Sequence, residues 1–166
     1  MNAELHCRAE VLAAWITTAF ASMGCADDDA ATAASVLVEA DLKGIDSHGV
    51  ARLDGYVRLW RKGRINPRPA WKWWQRMPAV AVLDADAALG MIAARVAMHK
   101  AMEMASVYGT GQVLVRNSNH FGIASEHALL AVENKMVGWA MTNASPLVAP
   151  YGSADRLLGT NPLCYA

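Results

Sequence analysis

The sequence predicts an α/β protein, with a helical N-terminal segment leading into a layered domain of alternating strands and helices. Apolar residues recur at helical spacing as far as Gly63, and from about residue 79 short apolar runs alternate with longer amphipathic ones. The composition, 54% hydrophobic and 18% charged over 166 residues, supplies a sizeable core and lies far from that of a disordered chain.

Residues 5–22 read as a first helix, with Leu5, Val11, Leu12, Trp15, Ile16 and Ala19 near helical spacing. The run "GCADDDAATAASVLVEADLKG" gives a second. Asp27 to Asp29 offer an N-cap and favourable first-turn charge, and Gly44 stands where a helix-ending glycine belongs. A third helix is expected from about Ser47, with Val50, Leu53, Val57 and Trp60 on one stripe. It ends by Gly63, and Pro67 and Pro69 forbid continuation. "AVAVLD" then reads as a buried strand, "LGMIAARVAMHKAMEMASVYG" as a long helix closed by Gly109, and "GQVLVRN" as a second strand. "GIASEHALLAVENKM" is a further helix and "VGWAMTN" a third strand. Strand–helix–strand–helix–strand is the order of an α/β layer with parallel pairing. The last residues, "GTNPLCYA", read as a turn and a strand just beginning, so the domain is expected to be incomplete.

Charge and cysteine content narrow the function classes. Formal net charge is zero, so no global field recruits nucleic acid or acidic membranes, and the basic run Arg58 to Lys72 reads as a solvated helix end and loop. Cys7, Cys25 and Cys164 are too scattered for a zinc or redox pair and are expected to be reduced and packed, as in a cytoplasmic protein. No signal peptide and no run of membrane-spanning length is found. Met91, Met98 and Met102 read as core, "WKWW" (71–74) as a packing surface, and His99 and His127 as helix-surface residues.

Three stretches carry candidate chemistry. In "DSHGVAR" (46–52), His48 and Arg52 are four residues apart and share one face if a helix opens there. A helix N-terminus capped by Asp46 or Ser47 would hold the imidazole neutral and favour an anion beside the guanidinium. The plain alternative is a serine cap followed by a surface histidine. In "VLVRNSNHFGIASEH" (113–127), a strand ends in a polar turn opening a helix. Asn119 and His120 stand at its mouth and Gly122 permits close backbone approach. A capped turn with a structural histidine explains the same residues. The dinucleotide fingerprint is absent, because Gly109 and Gly111 precede a strand instead of following one. The third stretch, "NASPLVAPYGSADRLLGTNP" (143–162), is unusually long for a connector, a length that ordered loops reach mainly for function, although a surface excursion would look alike.

Together, "DLKGIDSHGVARLDGY", "VRNSNHFGIA" and "MTNASPLVAPYGSADRLLGTNPL" resemble the malate/L-lactate dehydrogenase family of NAD(P)-dependent oxidoreductases, in the family's order and over almost the whole chain. The resemblance implies a non-Rossmann, sulfolactate dehydrogenase-like fold, here an incomplete three-layer α/β/α domain with a mixed sheet (71–166) behind a helical segment carrying the Ser-His-Gly motif (1–70). It implies hydride transfer between NAD or NADP and C2 of a small 2-oxo, 2-imino or 2-hydroxy acid by a homodimer; charge, hydropathy and cysteine content add the expectation of a cytoplasmic protein with no nucleic acid or membrane as partner and no metal. Ser47 and His48 match a catalytic serine–histidine relay, and Arg52 and Thr160 match substrate contacts. His120, Phe121, Gly122, Ile123 and Ala124 match a cofactor contact, and His120 also matches the proton acceptor of the ureidoglycolate branch. Two bases are therefore offered; the anion-binding neighbour of His48 favours it for the proton, with His120 orienting substrate or cofactor. Ser125, Glu126 and His127 depart from the glycine and aromatic residue usual there. The family's second half, which supplies a relay aspartate, is missing, so the alternative is a non-catalytic fragment or assembly module that folds or binds nucleotide only with a partner subunit.

Overall fold

The computed structural model describes residues 6–166, which fall into two compact units: a first ending at Ile123 and a second comprising Ala124–Ala166. The boundary expected at residues 70 and 71 lies inside the first unit.

In the first unit, α1 (Ala9–Ser22) and α2 (Asp27–Leu42) pair. Leu5 lies outside the described residues, and the helix expected over 5–22 starts at Ala9. Its inward stripe is Leu12, Ile16 and Phe20, while Val11 and Trp15, placed on that stripe by sequence, face solvent. Bulk at helical spacing admits several faces, and the one shared with α2 wins. α2 carries Asp27, Asp28 and Asp29 in its first turn with Ala26 at the N-cap. Two residues past its end stands Gly44, whose φ of 70° is the left-handed conformation glycine adopts without strain. Seven of its residues are buried, which makes it the central helix of the core.

The expected third helix is interrupted. Asp46–His48 and Val50–Arg52 form two 3₁₀ turns on either side of Gly49, and α3 runs only from Leu53 to Arg61. β1 (Lys72–Met77) follows and pairs antiparallel with β2 (Val80–Ala88); "WKWW" thus leads into an edge strand, which sequence reading did not identify. α4 (Gly90–Tyr108), closed by Gly109, carries the chain to β3 (Gln112–Ser118), parallel to β2. The sheet order β1-β2-β3 is mixed, as expected. Met91 is buried and Met98 and Met102 half-buried on α4. The Asp84 carboxylate ties the C-terminal ends of β2 and β3, accepting hydrogen bonds from Asn117 Nδ2 (2.9 Å), the Asp86 N–H (3.0 Å) and Arg116 Nε (3.0 Å). Arg116 in turn lies 5.3 Å over the Trp74 ring. The main core joins Ile16, Phe20 and Leu37 to Met91 at the start of α4.

The second unit holds α5 (Ala124–Glu133), β4 (Trp139–Met141) and β5 (Leu163–Tyr165). β4 does not extend a parallel sheet; it pairs antiparallel with β5 across the 142–162 loop, because a strand that short is completed by whichever segment returns beside it. His127, expected on a helix surface, is buried on α5 alongside Ala128, Leu130 and Ala131. Of the three free cysteines, Cys25 alone is buried, Cys7 being exposed and Cys164 half-buried. Among the described residues no helix is long and apolar enough to cross a membrane, and no cluster of three metal-ligating side chains occurs.

Candidate active site

The site begins at the end of α2. The Asp41 carboxylate accepts the Val50 N–H at 2.9 Å and lies directly under Gly49, where an added Cβ would come within 1.7 Å of Oδ1. A Cβ at Gly49 would push this carboxylate off the Val50 N–H, and the helical path between His48 and Arg52 breaks at the same residue. The two side chains therefore do not share an α-helical face, and no side-chain cap on either turn surrounds His48 with helix N–H groups. They are brought together differently: Arg52 Nε donates to the Ser47 carbonyl at 2.5 Å, and Ser47 Oγ lies 2.9 Å from His48 Nδ1. The terminal guanidinium nitrogens of Arg52 have no hydrogen-bond or ion-pair partner among the described residues, which leaves them available to a carboxylate.

His120 arrives from the turn after β3. The Asn119 side-chain amide donates to the carbonyls of Ala87 (2.9 Å), Ala88 (3.0 Å) and Arg64 (3.2 Å), pinning the turn to the end of β2. Gly90 lets α4 start directly against it, since a Cβ there would sit 2.0 Å from the Asn119 carbonyl oxygen. At Gly122 the expected close approach exists, but the space is filled by Val36 of α2, and the Gly122 N–H donates to His120 Nδ1 at 3.3 Å. The backbone here is thus engaged with the protein's own core instead of forming an open phosphate cradle.

Sequence reading missed Tyr56. It is buried on α3, with its ring 6.1 Å from that of Phe20, and its hydroxyl lies 2.7 Å from His120 Nδ1. The available signal was its place one turn beyond Arg52, but the apolar stripe drawn through Val50, Leu53, Val57 and Trp60 passes beside it. The His48 and His120 rings stand 5.4 Å apart between centroids, inclined by 32°.

Electrostatics keeps both imidazoles neutral. Burial, then the Arg52 guanidinium, lowers the pKa of His48. Burial, then His48 and Arg52, pushes that of His120 down to about 4, although the residue retains solvent-exposed surface. Burial raises the Tyr56 phenol, so it stays protonated. A guanidinium, a hydroxyl and two uncharged imidazoles on one side of the unit can hold an anion and exchange a proton with it. This donor set fits a carboxylate and the uncharged ring end of a nicotinamide. Phe121 is half-buried and Ile123 buried, while Ala124 opens α5 and, like the exposed Thr160, belongs to the second unit.

The profile of the malate/L-lactate dehydrogenase family matches residues 7–166. The L-sulfolactate dehydrogenase of Methanocaldococcus jannaschii is 43% identical over 143 residues, covering 86% of this chain and 42% of the relative. The ureidoglycolate dehydrogenase (NAD(+)) of Escherichia coli K12 is 35% identical over 157 residues, 95% of this chain and 45% of the relative. Among solved structures, the malate dehydrogenase of Pyrococcus horikoshii OT3 superposes with a TM-score of 0.93 at 40% identity, over 97% of this chain and 46% of that one. The chain therefore spans less than half the length of these relatives.

Proposed function

The chain belongs to the malate/L-lactate dehydrogenase family, and from that premise we propose that it carries the acid-binding and proton-handling groups of a nicotinamide-dependent oxidoreductase acting at C2 of a small 2-oxo, 2-imino or 2-hydroxy acid. The observation that supports this best is the meeting of Ser47, His48, Arg52 and His120, drawn from two segments far apart in sequence.

Each group has a task. Arg52 grips the substrate carboxylate and thereby fixes C2. With His48 Nδ1–H donating to Ser47 Oγ, Nε2 holds a lone pair that takes the hydroxyl proton in oxidation and returns one in reduction. The lowered pKa of His48 keeps that lone pair free at neutral pH. His120 orients the group on C2, and residues 120–124 hold the nicotinamide, which supplies or accepts the hydride when bound. Thr160, on the second unit, is assigned a substrate contact on the family resemblance alone. The same reading includes NAD or NADP as the cofactor and a homodimeric assembly, both taken from the family resemblance, and a cytoplasmic setting, taken from the scattered cysteines.

The test is a titration of the chain with NADH and NADPH, followed by tryptophan fluorescence, with and without pyruvate. Saturable quenching that responds to pyruvate is expected, and Arg52→Ala should weaken the response to the acid roughly 10- to 100-fold, the worth of a charge-assisted pair. A second reading, a non-catalytic module, is favoured by one observation: no carboxylate pairs with His48 among the described residues. A folded chain that binds neither nucleotide would establish that reading instead.

A further inference from the structure

The hydrogen bonds at His120 determine which of its nitrogens carries the proton. A backbone N–H can only donate, so the Gly122 N–H, 3.3 Å from Nδ1, requires a lone pair there. The Tyr56 hydroxyl, 2.7 Å from the same nitrogen, must then donate as well. A neutral imidazole with Nδ1 accepting carries its hydrogen on Nε2. No hydrogen bond among the described residues uses that nitrogen, and His120 keeps exposed surface. Tyr56 is suited to impose this choice: it is 3% exposed and held by Phe20 within the main core, so its hydroxyl is delivered from a rigid base. The burial that raises its pKa also keeps it a donor.

We propose that Tyr56 is a positioning residue that holds His120 in the Nε2–H tautomer, so that His120 meets the substrate as a hydrogen-bond donor to the oxygen or nitrogen on C2 and leaves His48 to move the proton. The part concerning substrate rests on the function proposed above; the tautomer does not. With Nε2 already carrying hydrogen, His120 cannot accept a proton at its open nitrogen. Taking one at Nδ1 would set two N–H donors against each other and break the Tyr56 bond. His48 has no such constraint, because its Nδ1 faces a serine hydroxyl that can either donate or accept. Two histidines that look equivalent in sequence thus take opposite parts.

The test is two-bond proton–nitrogen correlation spectroscopy on the 166-residue chain labelled with ¹⁵N-histidine, with His120 assigned through its backbone connections. At neutral pH His120 is expected as a single Nε2–H tautomer, and the Tyr56 hydroxyl proton should show a coupling across the hydrogen bond to Nδ1. Tyr56→Phe should shift a large share of His120 into the Nδ1–H form. An Nδ1–H or evenly mixed tautomer in the unmodified chain overturns the proposal, as does an unchanged tautomer in a folded Tyr56→Phe variant. Should that variant not fold, the coupling in the unmodified chain decides: its presence supports the assignment to Tyr56 and its absence overturns it. None of these readouts needs nucleotide or acid, so failure of the nucleotide titration would refute the function while leaving the tautomer result in place.

Discussion

Arg52 does more than wait for an anion: its charge is one reason that neither His48 nor His120 carries a proton at neutral pH. A group whose pKa falls on folding stabilises the native state fully above its unfolded pKa and loses that contribution as the pH drops toward the folded value. His120 goes from an ordinary 6.5 to about 4, so it makes stability fall between those limits. Asp84 is held down to about 2 from 3.8, first by the Asn117 amide, then by the Asp86 N–H and Arg116, so its loss comes in a separate, more acid window. Urea unfolding midpoints measured from pH 8 to 2 should show both declines, and His120→Gln should flatten the upper one and leave the lower. An upper slope unchanged in that variant would mean that His120 is not depressed by folding. Ser47, His48, Arg52 and His120 were legible as candidates because they stand in the motifs that carry the family resemblance, although the helical face expected to join His48 and Arg52 is not formed. Tyr56 was not, since its partner is 64 positions away and its one local signal, a place one turn beyond Arg52, lies beside the apolar stripe.

Among the elements, the 3₁₀ pair matters most to function, and periodicity could not reveal it. The spacing of Val50, Leu53 and Val57 is equally that of an unbroken helix; what breaks it is the Asp41 carboxylate of α2 pressed against Gly49, a contact between elements. Two glycines six positions apart in this stretch give opposite expectations. Gly49→Ala drives a Cβ into Asp41 and should cost about 1–3 kcal/mol, as overpacking does. Gly55 lies within α3 with nothing near its missing side chain, so Gly55→Ala should raise stability by about 0.5–1 kcal/mol. Denaturant unfolding of the two variants checks the pair. Equal effects would mean that the Asp41–Gly49 contact is not formed. β1 escaped sequence reading for a related reason: all six of its residues are exposed, so it shows no alternation between a buried and a solvated face.

At the scale of the molecule, local patterns predicted where strands and helices lie better than which strands pair. The β2–α4–β3 crossover was readable because a buried strand, a long helix and a second strand in succession nearly dictate parallel neighbours. The β4–β5 pairing was not readable, because the segments are three residues each and the loop between them carries no period. This difference should persist in the dynamics. β2 is bonded to a strand on each side and buries Ala81, Leu83 and Ala85, so its amides open only when the first unit unfolds. The 143–162 loop is mostly exposed, and Val148 with Leu158 forms its one isolated bridge among the described residues. Hydrogen exchange read by mass spectrometry should therefore find β2 and α2 slowest and the loop among the fastest, by several orders of magnitude. Strong protection of the loop would mean that contacts within the 166 residues hold it more firmly than its exposed backbone implies.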